Sequence, residues 1–309
     1  MVTKCPPASD PTLAAAITRA ASKQTYYTVR FLVDRDRVDD AYRAYAYFRW
    51  VDDYLDLEAR SQADRLAFVS RQQALMEAAY DGQPWTGLTQ EECLLADLIG
   101  RDQAENSGLQ AYIRNMMAVM VFDAHRRGRL ISQRELDAYV GWLATAVTEA
   151  LHNFIGAGSA SPRDERRYLA AAGAHITHML RDAVEDAEAG YYNLPREVIT
   201  AQVLAPREWE SGAYRHWVKA RVQQARACFR AGRDYLASVD CVRCRLAGYA
   251  YIQRFEVVLD AIEREGYRLR ADYPERRSYG WRMKTMGWAL WMALGYRPPA
   301  ASLRAAPSA

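Results

Sequence analysis

Carboxylates at helical spacing are the first chemical signal in this sequence. The largely apolar run YRAYAYFRWVDDYLD, residues 42–56, ends in acids, and Asp52 and Asp56 stand four residues apart. In an α-helix such residues lie one above the other on the same face, which Arg49 continues. Two stacked carboxylates repel each other, so either this arginine or a divalent cation must compensate them. Mg²⁺ takes oxygen ligands and is usually shared between carboxylates and a substrate phosphate. One pair alone is more typical of an ordinary exposed helix end.

A second stretch repeats the pattern. Asp182 and Asp186 have the same four-residue spacing, Arg181 directly precedes them, and His175 and His178 lie one to two turns upstream. Two helices that each carry such a pair can face each other across a cavity and hold metal ions and a diphosphate between them. The predicted metal ligands are Asp52, Asp53, Asp56, Asp182 and Asp186.

The elements that must position these acids are predicted to be helices. Half of the residues are apolar, and Gly and Pro are rare inside the long segments, a composition typical of an all-α protein. We expect one domain over residues 21–270, because helical enzymes of this size are commonly single domains. Residues 1–20 are expected to be disordered or loosely attached, since their three prolines discourage an early helix. Residues 271–309 form a C-terminal extension.

Charge and cysteine content exclude several classes of protein. The chain has 41 Lys and Arg against 38 Asp and Glu, a net charge of +3, so no nucleic-acid partner is expected. Five irregularly spaced cysteines give no disulfide framework and favour a reducing compartment. Cys241 and Cys244 form a lone CxxC without the further ligands that structural zinc requires.

The ends of the chain bear on its localisation. The first residues contain no secretory signal, because their longest apolar run is too short. A cytoplasmic protein is therefore expected. The apolar stretch 286–295 is too short to span a bilayer. Its Trp288, Trp291 and Met292, flanked by basic residues, could instead lie on a membrane surface or pack on the protein.

Five segments, in order over roughly residues 20–270, resemble one family of helical enzymes. They are SKQTYYTVRFLV (22–33), YAYFRWVDDYLD (45–56), MAVMVFD (117–123), ITHMLRDAVEDAEAG (176–190) with Leu194 and Pro195, and AYIQRFEVVLDAIEREGY (250–267). Together they are similar to the squalene synthase and phytoene synthase family of head-to-head prenyl transferases. The two aspartate motifs are specific as a pair, and the other segments support them.

The resemblance implies a single helical bundle around a deep, largely apolar cavity. It further implies a Mg²⁺-dependent enzyme that joins two prenyl diphosphates and releases diphosphate. The implied catalytic residues are Tyr45, Arg49, Trp142 and Arg181. The implied substrate-binding residues are Thr25, Tyr26, Arg49, His175, His178 and Arg181. The sequence leaves open the prenyl chain length, a need for NADPH and the oligomeric state.

The sequence departs from the family in the helix predicted over 133–155. Trp142 stands where relatives have a tyrosine, and Thr148 stands where they have a glycine. Tryptophan can shield a carbocation with its π face but cannot exchange a proton as a phenol can. The added bulk is expected to narrow the cavity.

The second aspartate motif departs as well. His175 and His178 replace a Gln and an Asn, and imidazole is a poorer Mg²⁺ ligand than an amide oxygen. His178 could contact the diphosphate or simply pair with Asp182 one turn on. Relatives often continue with Gly-Arg and then Tyr-Leu-Pro, whereas this chain has Gly190 and then Tyr-Tyr-Asn-Leu-Pro. A basic residue near the diphosphate is therefore missing.

Three alternatives to head-to-head condensation follow. The bulk at Trp142 and Thr148 could leave room for only one prenyl chain, which would then pass to a flat aromatic acceptor. One prenyl diphosphate could also cyclise, as in a terpene cyclase. A non-catalytic scaffold of the same fold is the third alternative, but its expected mark is loss of the acids, and all four paired aspartates are present.

Overall fold

A computed structural model describes residues 11–274 except 85, 103, 203, 204 and 206, together with residues 287 and 290–295. In this part of the chain the regular structure is helical, apart from one isolated bridge between Leu130 and Tyr192. The α-helices in it are α1 (Pro11–Ala21), α2 (Lys23–Leu32), α3 (Val38–Asp56), α4 (Gln62–Tyr80), α5 (Gln90–Arg101), α6 (Gly108–Arg126), α7 (Gln133–Phe154), α8 (Leu169–Glu188), α9 (Arg196–Gln202), α10 (Gly212–Ala237) and α11 (Val242–Arg264). Two short 3₁₀ helices cover Arg35–Arg37 and Glu165–Tyr168. The predicted all-α fold class is confirmed.

Local polar signals begin several of these helices. Ser61 accepts a hydrogen bond from the backbone of Asp64, whose carboxylate accepts from the Ser61 backbone in return, and α4 starts there. Thr89 and Glu92 form the same reciprocal box at the start of α5, and Ser211 caps α10. Because these caps satisfy backbone N–H groups that the helix itself leaves open, the helix starts are encoded locally.

The N-terminal segment differs from its prediction. Residues 11–20, expected to be loosely attached, belong to α1, which packs against α3 with Ala14 and Thr18 fully buried. The proline that was expected to discourage a helix is its first residue, a position where the missing N–H has no cost and the fixed φ suits the helix. Residues 1–10 lie outside the described part of the chain.

The chain divides into two compact units. The first contains Met1–His125 and Glu149–Ala157, and the second contains Arg126–Thr148 and Gly158–Ala309. The expectation of one domain over 21–270 stays a prediction, as does the deep cavity.

Helix α3 is the centre of the first unit. It packs against α1, α2, α4 and α5, and its Ala46, Tyr47 and Val51 are completely buried. Burial of such side chains is the main source of folding free energy. The first aspartate motif therefore lies at the end of a helix that four others of this unit enclose.

Helix α8 has the corresponding place in the second unit, where it packs against both α10 and α11. Two glycines let α8 and α10 approach closely. A Cβ atom on Gly232 would lie 2.8 Å from the backbone of Ala170, and one on Gly173 would lie 3.0 Å from the Ala225 carbonyl oxygen. This contact fixes the helix that carries Asp182 and Asp186.

The described part of the C-terminal extension contacts α11 within the second unit. Residues 290–295 are helical, Met292 and Ala293 are buried, and Arg245 of α11 donates a hydrogen bond to the Ala293 carbonyl at 2.9 Å. Trp291 is 64% exposed, so only one side of this helix packs on the protein. Trp288 and its basic neighbours, on which the predicted membrane contact also depends, lie outside the described residues. No helix in the described residues is long and apolar enough to cross a bilayer.

Candidate active site

The first aspartate motif occupies the last turn of α3. Arg49 pairs with Asp52, Nη1 to Oδ2, at 3.2 Å, and forms a closer ion pair with Asp53. Asp56 is exposed one turn beyond Asp52. The predicted arrangement of an arginine beside stacked acids is therefore present, with the guanidinium shared between two of the three carboxylates.

This arginine does not balance the acids completely. Burial and, next in size, the charge of Asp56 raise the pKa of Asp52 to about 7, and Arg49 only partly opposes them. Asp123 of α6 adds to the repulsion. Since each neighbouring negative charge favours the neutral acid, this end of α3 is a place where a cation would be stabilised.

Packing between α3 and α6 brings Asp123 to this position. The Phe48 and Tyr112 rings meet edge to face at a centroid distance of 5.4 Å, and the Tyr112 hydroxyl donates to the Ala44 carbonyl at 3.1 Å. Tyr45 is partly buried on the same stretch of α3. Its predicted role of shielding a cation stays a prediction.

The predicted substrate contacts on α2 have structural partners of their own. The Thr25 hydroxyl donates to Ser22 Oγ at 2.9 Å within the N-terminal cap of α2. The Tyr26 ring stacks on Tyr42 at 5.5 Å, and the Tyr26 carbonyl accepts from the Tyr42 hydroxyl at 3.2 Å. Both residues help to hold α2 in place, and contact with a substrate stays a prediction for each.

The second aspartate motif is compensated more fully. Both oxygens of Asp182 accept from Arg181, through Nε and Nη2, and Oδ2 also lies 3.0 Å from His178 Nε2. Burial by itself would raise the pKa of Asp182, but the bonds from Arg181 and His178 outweigh it and hold this pKa well below its ordinary value. Asp182 is therefore an ionised carboxylate whose charge is already paired.

His178 makes the simpler of its two predicted contacts. A carboxylate oxygen only accepts, so the Nε2 atom that faces Asp182 carries the proton. The side chain is 47% exposed, yet desolvation by the surrounding protein lowers its pKa, against the opposing effect of Asp182. The ring is thus a neutral donor to Asp182, and a contact with diphosphate stays a prediction.

His175 lies deeper on the same helix. Its ring meets Tyr139 at a centroid distance of 5.0 Å, and its Nε2 is buried without a hydrogen-bond partner among the described residues. Burial lowers the pKa of His175 well below its ordinary value, and the neighbouring His178 and Arg126 lower it further. His175 is therefore a neutral imidazole.

Asp186 is held by a residue that sequence reasoning missed. Asn193 Nδ2 donates to Asp186 Oδ2 at 2.7 Å, and Arg126 Nη1 donates to Asn193 Oδ1 at 2.8 Å. The Arg126 guanidinium lies over the rings of Tyr139 and Tyr191, at 4.8 and 5.0 Å. No sequence spacing links residue 126 to residue 193. The asparagine itself was visible as a departure from the Tyr-Leu-Pro of relatives.

The two residues that were predicted to narrow the cavity both lie on α7. Trp142 is partly buried and Thr148 is buried. Helix α7 thus includes both positions, as predicted, and their effect on a substrate channel stays a prediction.

The predicted ligands are of the chemical type that Mg²⁺ binds. Every predicted ligand is a carboxylate, which hard cations prefer, and the excess negative charge around Asp52 favours a cation there. Within the described residues, however, no three His, Cys, Asp or Glu side chains form a group that could hold a metal ion by themselves. Mg²⁺ at these pairs would therefore take further oxygens from diphosphate and water, as is usual for this ion.

Comparison with known proteins decides the family. The squalene/phytoene synthase family model matches residues 18–285. The chain belongs to this family. Phytoene synthase 3, chloroplastic, of Zea mays is 25% identical over 265 residues, which cover 83% of this chain and 59% of that protein. The chain spans about three fifths of the length of the curated relatives that it matches.

Solved structures of family members support the fold. A dehydrosqualene synthase in complex with a ligand has a TM-score of 0.73 at 17% identity. The match covers 93% of this chain and 97% of the dehydrosqualene synthase chain. A squalene synthase from Alicyclobacillus acidocaldarius has a TM-score of 0.64 at 20% identity, with coverages of 84% and 95%. At this identity the likeness establishes the isoprenoid synthase fold alone.

Proposed function

We propose that this family member joins two prenyl diphosphates head to head and releases diphosphate. One observation carries the proposal: both aspartate pairs are present, and each has an arginine in contact with its first acid. Paired acids with adjacent arginines suit a leaving group that is itself highly charged. The scaffold alternative loses support, because a scaffold has no need to keep several acids whose charges repel Asp52.

In the proposed reaction the C1–O bond of one allylic diphosphate breaks, and its electron pair leaves with the diphosphate. Bound Mg²⁺ would supply the positive charge that stabilises this leaving group, and Arg49 and Arg181 would add to it. A double bond of the second prenyl chain attacks the allylic cation and forms the new C–C bond. The resulting cation loses a proton. The diphosphate of the second chain then leaves with its own electron pair, and the cation that remains loses a proton or accepts a hydride from a reductant such as NADPH. Tyr45 and Trp142 would shield the cation from water.

A second candidate function rests on α7. The buried Thr148 and the partly buried Trp142 put bulk where relatives have smaller or different side chains. If one prenyl chain fits, its allylic cation would be taken by an aromatic acceptor or by its own distal double bond. The first outcome is prenyl transfer to an aromatic compound, and the second is terpene cyclisation.

The test supplies one prenyl diphosphate at a time with Mg²⁺, with and without NADPH, and weighs the products by mass spectrometry. A hydrocarbon with twice the carbon number of the substrate is expected. A product with the substrate's own carbon number, from wild type and Thr148→Gly alike, would establish cyclisation. Turnover that requires an added aromatic compound would establish the acceptor alternative.

Matched variants check that the reaction uses the aspartate motifs. Asp182→Ala is expected to abolish diphosphate release while the helical circular dichroism is unchanged. Glu185→Ala removes an exposed carboxylate from the same helix and is expected to keep turnover. Full turnover in Asp182→Ala would contradict the assigned role of the second motif.

A further inference from the structure

Both aspartate motifs place acids at the carbonyl end of a helix. Asp53 and Asp56 lie in the last turn of α3, and Asp186 lies in the last turn of α8. Aligned peptide dipoles give this end of a helix a partial negative charge, which favours cations and disfavours acids. Neither last turn contains a basic residue of its own. Positive charge at the terminal carbonyls is therefore supplied by other segments of the chain.

Arg65 of α4 supplies it at the end of α3. A helix leaves its last four carbonyls without donors from its own backbone. Arg65 donates from Nε to the Leu55 carbonyl and from Nη2 to the Leu57 carbonyl, both at 2.8 Å. Its side chain is 5% exposed, so little water competes for these bonds. The capping box of Ser61 and Asp64 fixes the start of α4 directly before Arg65. One buried guanidinium thus holds the turn that carries the first acids.

Two arginines have the same role at the end of α8. Arg127, which follows α6, donates from Nε to the Ala189 carbonyl at 3.0 Å. Arg207, which precedes α10, donates from Nη2 to the Ala187 carbonyl at 2.7 Å. Arginine on terminal carbonyls therefore recurs at both acid-bearing helices, each time within the unit to which the helix belongs.

We propose that Arg65, Arg127 and Arg207 are positioning residues that hold the terminal turns of the two aspartate helices for metal–diphosphate binding. Their bonds offset the negative charge of the helix ends. Because these bonds go to backbone oxygens, they fix the turn without occupying a carboxylate oxygen. The inference rests on the proposed function, since it concerns the same metal-binding acids.

The test measures Mn²⁺ binding by electron paramagnetic resonance in the presence of inorganic pyrophosphate, and so needs no turnover. Arg65→Met keeps the length of the side chain but removes both donors. It is expected to weaken Mn²⁺ binding by about tenfold, the lower end of what is lost with outer-shell support of a metal ligand. Arg127→Met should lose less, because Arg207 still holds the end of α8. Arg127→Met combined with Arg207→Met should lose as much as Arg65→Met.

Two conservative variants separate the hydrogen bonds of Arg65 from its charge. Arg65→Gln is neutral, but its amide nitrogen stands at the same place along the side chain as arginine Nε, which donates to Leu55. Arg65→Lys keeps the charge and can donate to a carbonyl from a single nitrogen. Both are expected to bind Mn²⁺ more tightly than Arg65→Met, because each keeps a bond to the end of α3.

Arg245→Met is the matched control. Arg245 also donates to two backbone carbonyls, from Nε to Ala293 at 2.9 Å and from Nη1 to Val239 at 2.7 Å, but it belongs to neither aspartate helix. Its loss is expected to lower the unfolding midpoint and to leave Mn²⁺ affinity as in wild type. Circular dichroism establishes that each variant is folded.

Four outcomes would overturn the inference. They are unchanged Mn²⁺ affinity in folded Arg65→Met, an equal loss in Arg245→Met, wild-type affinity in Arg65→Lys with Arg65→Gln as weak as Arg65→Met, or no Mn²⁺ binding by wild type with pyrophosphate. If Arg65→Met does not fold, unchanged affinity in the folded double variant of Arg127 and Arg207 overturns it instead.

The inference and the proposed reaction can fail separately. Wild type that binds Mn²⁺ and pyrophosphate, with the expected loss in Arg65→Met, supports the positioning role even if no prenyl diphosphate is turned over. Condensation of two prenyl chains by wild type, with unchanged Mn²⁺ affinity in Arg65→Met, would leave the proposed reaction in place and refute the positioning role.

Discussion

At the scale of single residues, the two aspartate motifs differ in how their charge is balanced. Asp182 has Arg181 and His178 as partners. Asp52 shares one arginine with Asp53 and lies in the repulsive field of other acids. The first motif therefore has the greater electrostatic need for a cation.

We predict that Asp52→Asn makes the metal-free protein more stable while it abolishes diphosphate release. The substitution removes a charge that the fold disfavours. Solvent screens the effect, because the Asp52 side chain is 39% exposed. The expected rise in the unfolding midpoint is therefore about 1 to 2 °C, measured by thermal unfolding at pH 8 with a chelator. A lower midpoint together with retained turnover would contradict the claim that the charge of Asp52 destabilises the fold.

The same variant has a defined pH dependence. The pKa of Asp52 is raised in the folded protein to about 7, so folding costs most when pH is above that value and the carboxylate is charged. As pH falls, the folded state takes up the proton first, and the cost disappears by about pH 4, the pKa in the unfolded chain. The stability advantage of Asp52→Asn should therefore be largest above pH 7 and vanish near pH 4. An advantage independent of pH would point to packing instead.

We predict that His178→Asn keeps or raises turnover. Asparagine retains an N–H donor that can reach Asp182, and it restores the amide oxygen found in relatives, which Mg²⁺ prefers to imidazole. Turnover and its half-saturating Mg²⁺ concentration are the measurements. A folded variant without turnover would give His178 a catalytic role of its own.

At the scale of elements, the position of α8 depends on small residues where it meets α10. A Cβ on Gly232 would lie 2.8 Å from backbone atoms of Ala170, closer than van der Waals contact allows. Helix packing is dense and relaxes little, so the glycine determines how closely the second aspartate helix can lie against its neighbour.

We predict that Gly232→Ala destabilises the protein by about 1 to 3 kcal/mol, the usual cost of overpacking, although alanine is the better helix former. Urea unfolding measures the change. Gly141→Ala on α7 is the matched control, because a Cβ there meets nothing within 4 Å. It is expected to stabilise the protein by up to about 1 kcal/mol. Equal effects of the two substitutions would show that the close helix contact does not matter.

At the scale of the whole molecule, charge is nearly balanced, with a net of +3 over 309 residues. Bulk attraction to an anion is therefore weak. Binding of a diphosphate must come from local groups and metal ions, and stabilisation by such ligands reports on those groups.

We predict that Mg²⁺ and pyrophosphate together raise the unfolding midpoint by about 5 °C at saturating concentration, since a ligand at 100 times its Kd contributes about 2.7 kcal/mol. Mg²⁺ alone or pyrophosphate alone should raise the midpoint less, because the ion binds oxygens of both the protein and the diphosphate. Asp52→Asn and Asp182→Asn should each remove most of the shift in differential scanning fluorimetry. A full shift in both variants would place pyrophosphate elsewhere.

The sequence by itself determined the features that depend on neighbours along the chain. Capping residues such as Ser61 and Thr89 begin helices locally, and the four-residue spacing of the acids survives in any helix. Apolar patterning and few helix breakers were enough for the all-α class. The family resemblance followed from the same motifs, because their order and spacing are properties of the chain.

Only the tertiary structure decided which distant residues meet. Asp123 acts on Asp52 because α6 packs on α3, and Arg126 reaches Asn193 across 67 positions of sequence. Such contacts leave no periodic signal, since they depend on how helices pack rather than on how one helix turns. Helix α1 was missed for a related reason. Pro11, its first residue, was interpreted as a helix breaker. Burial of Ala14 and Thr18 against α3 nevertheless stabilises the helix.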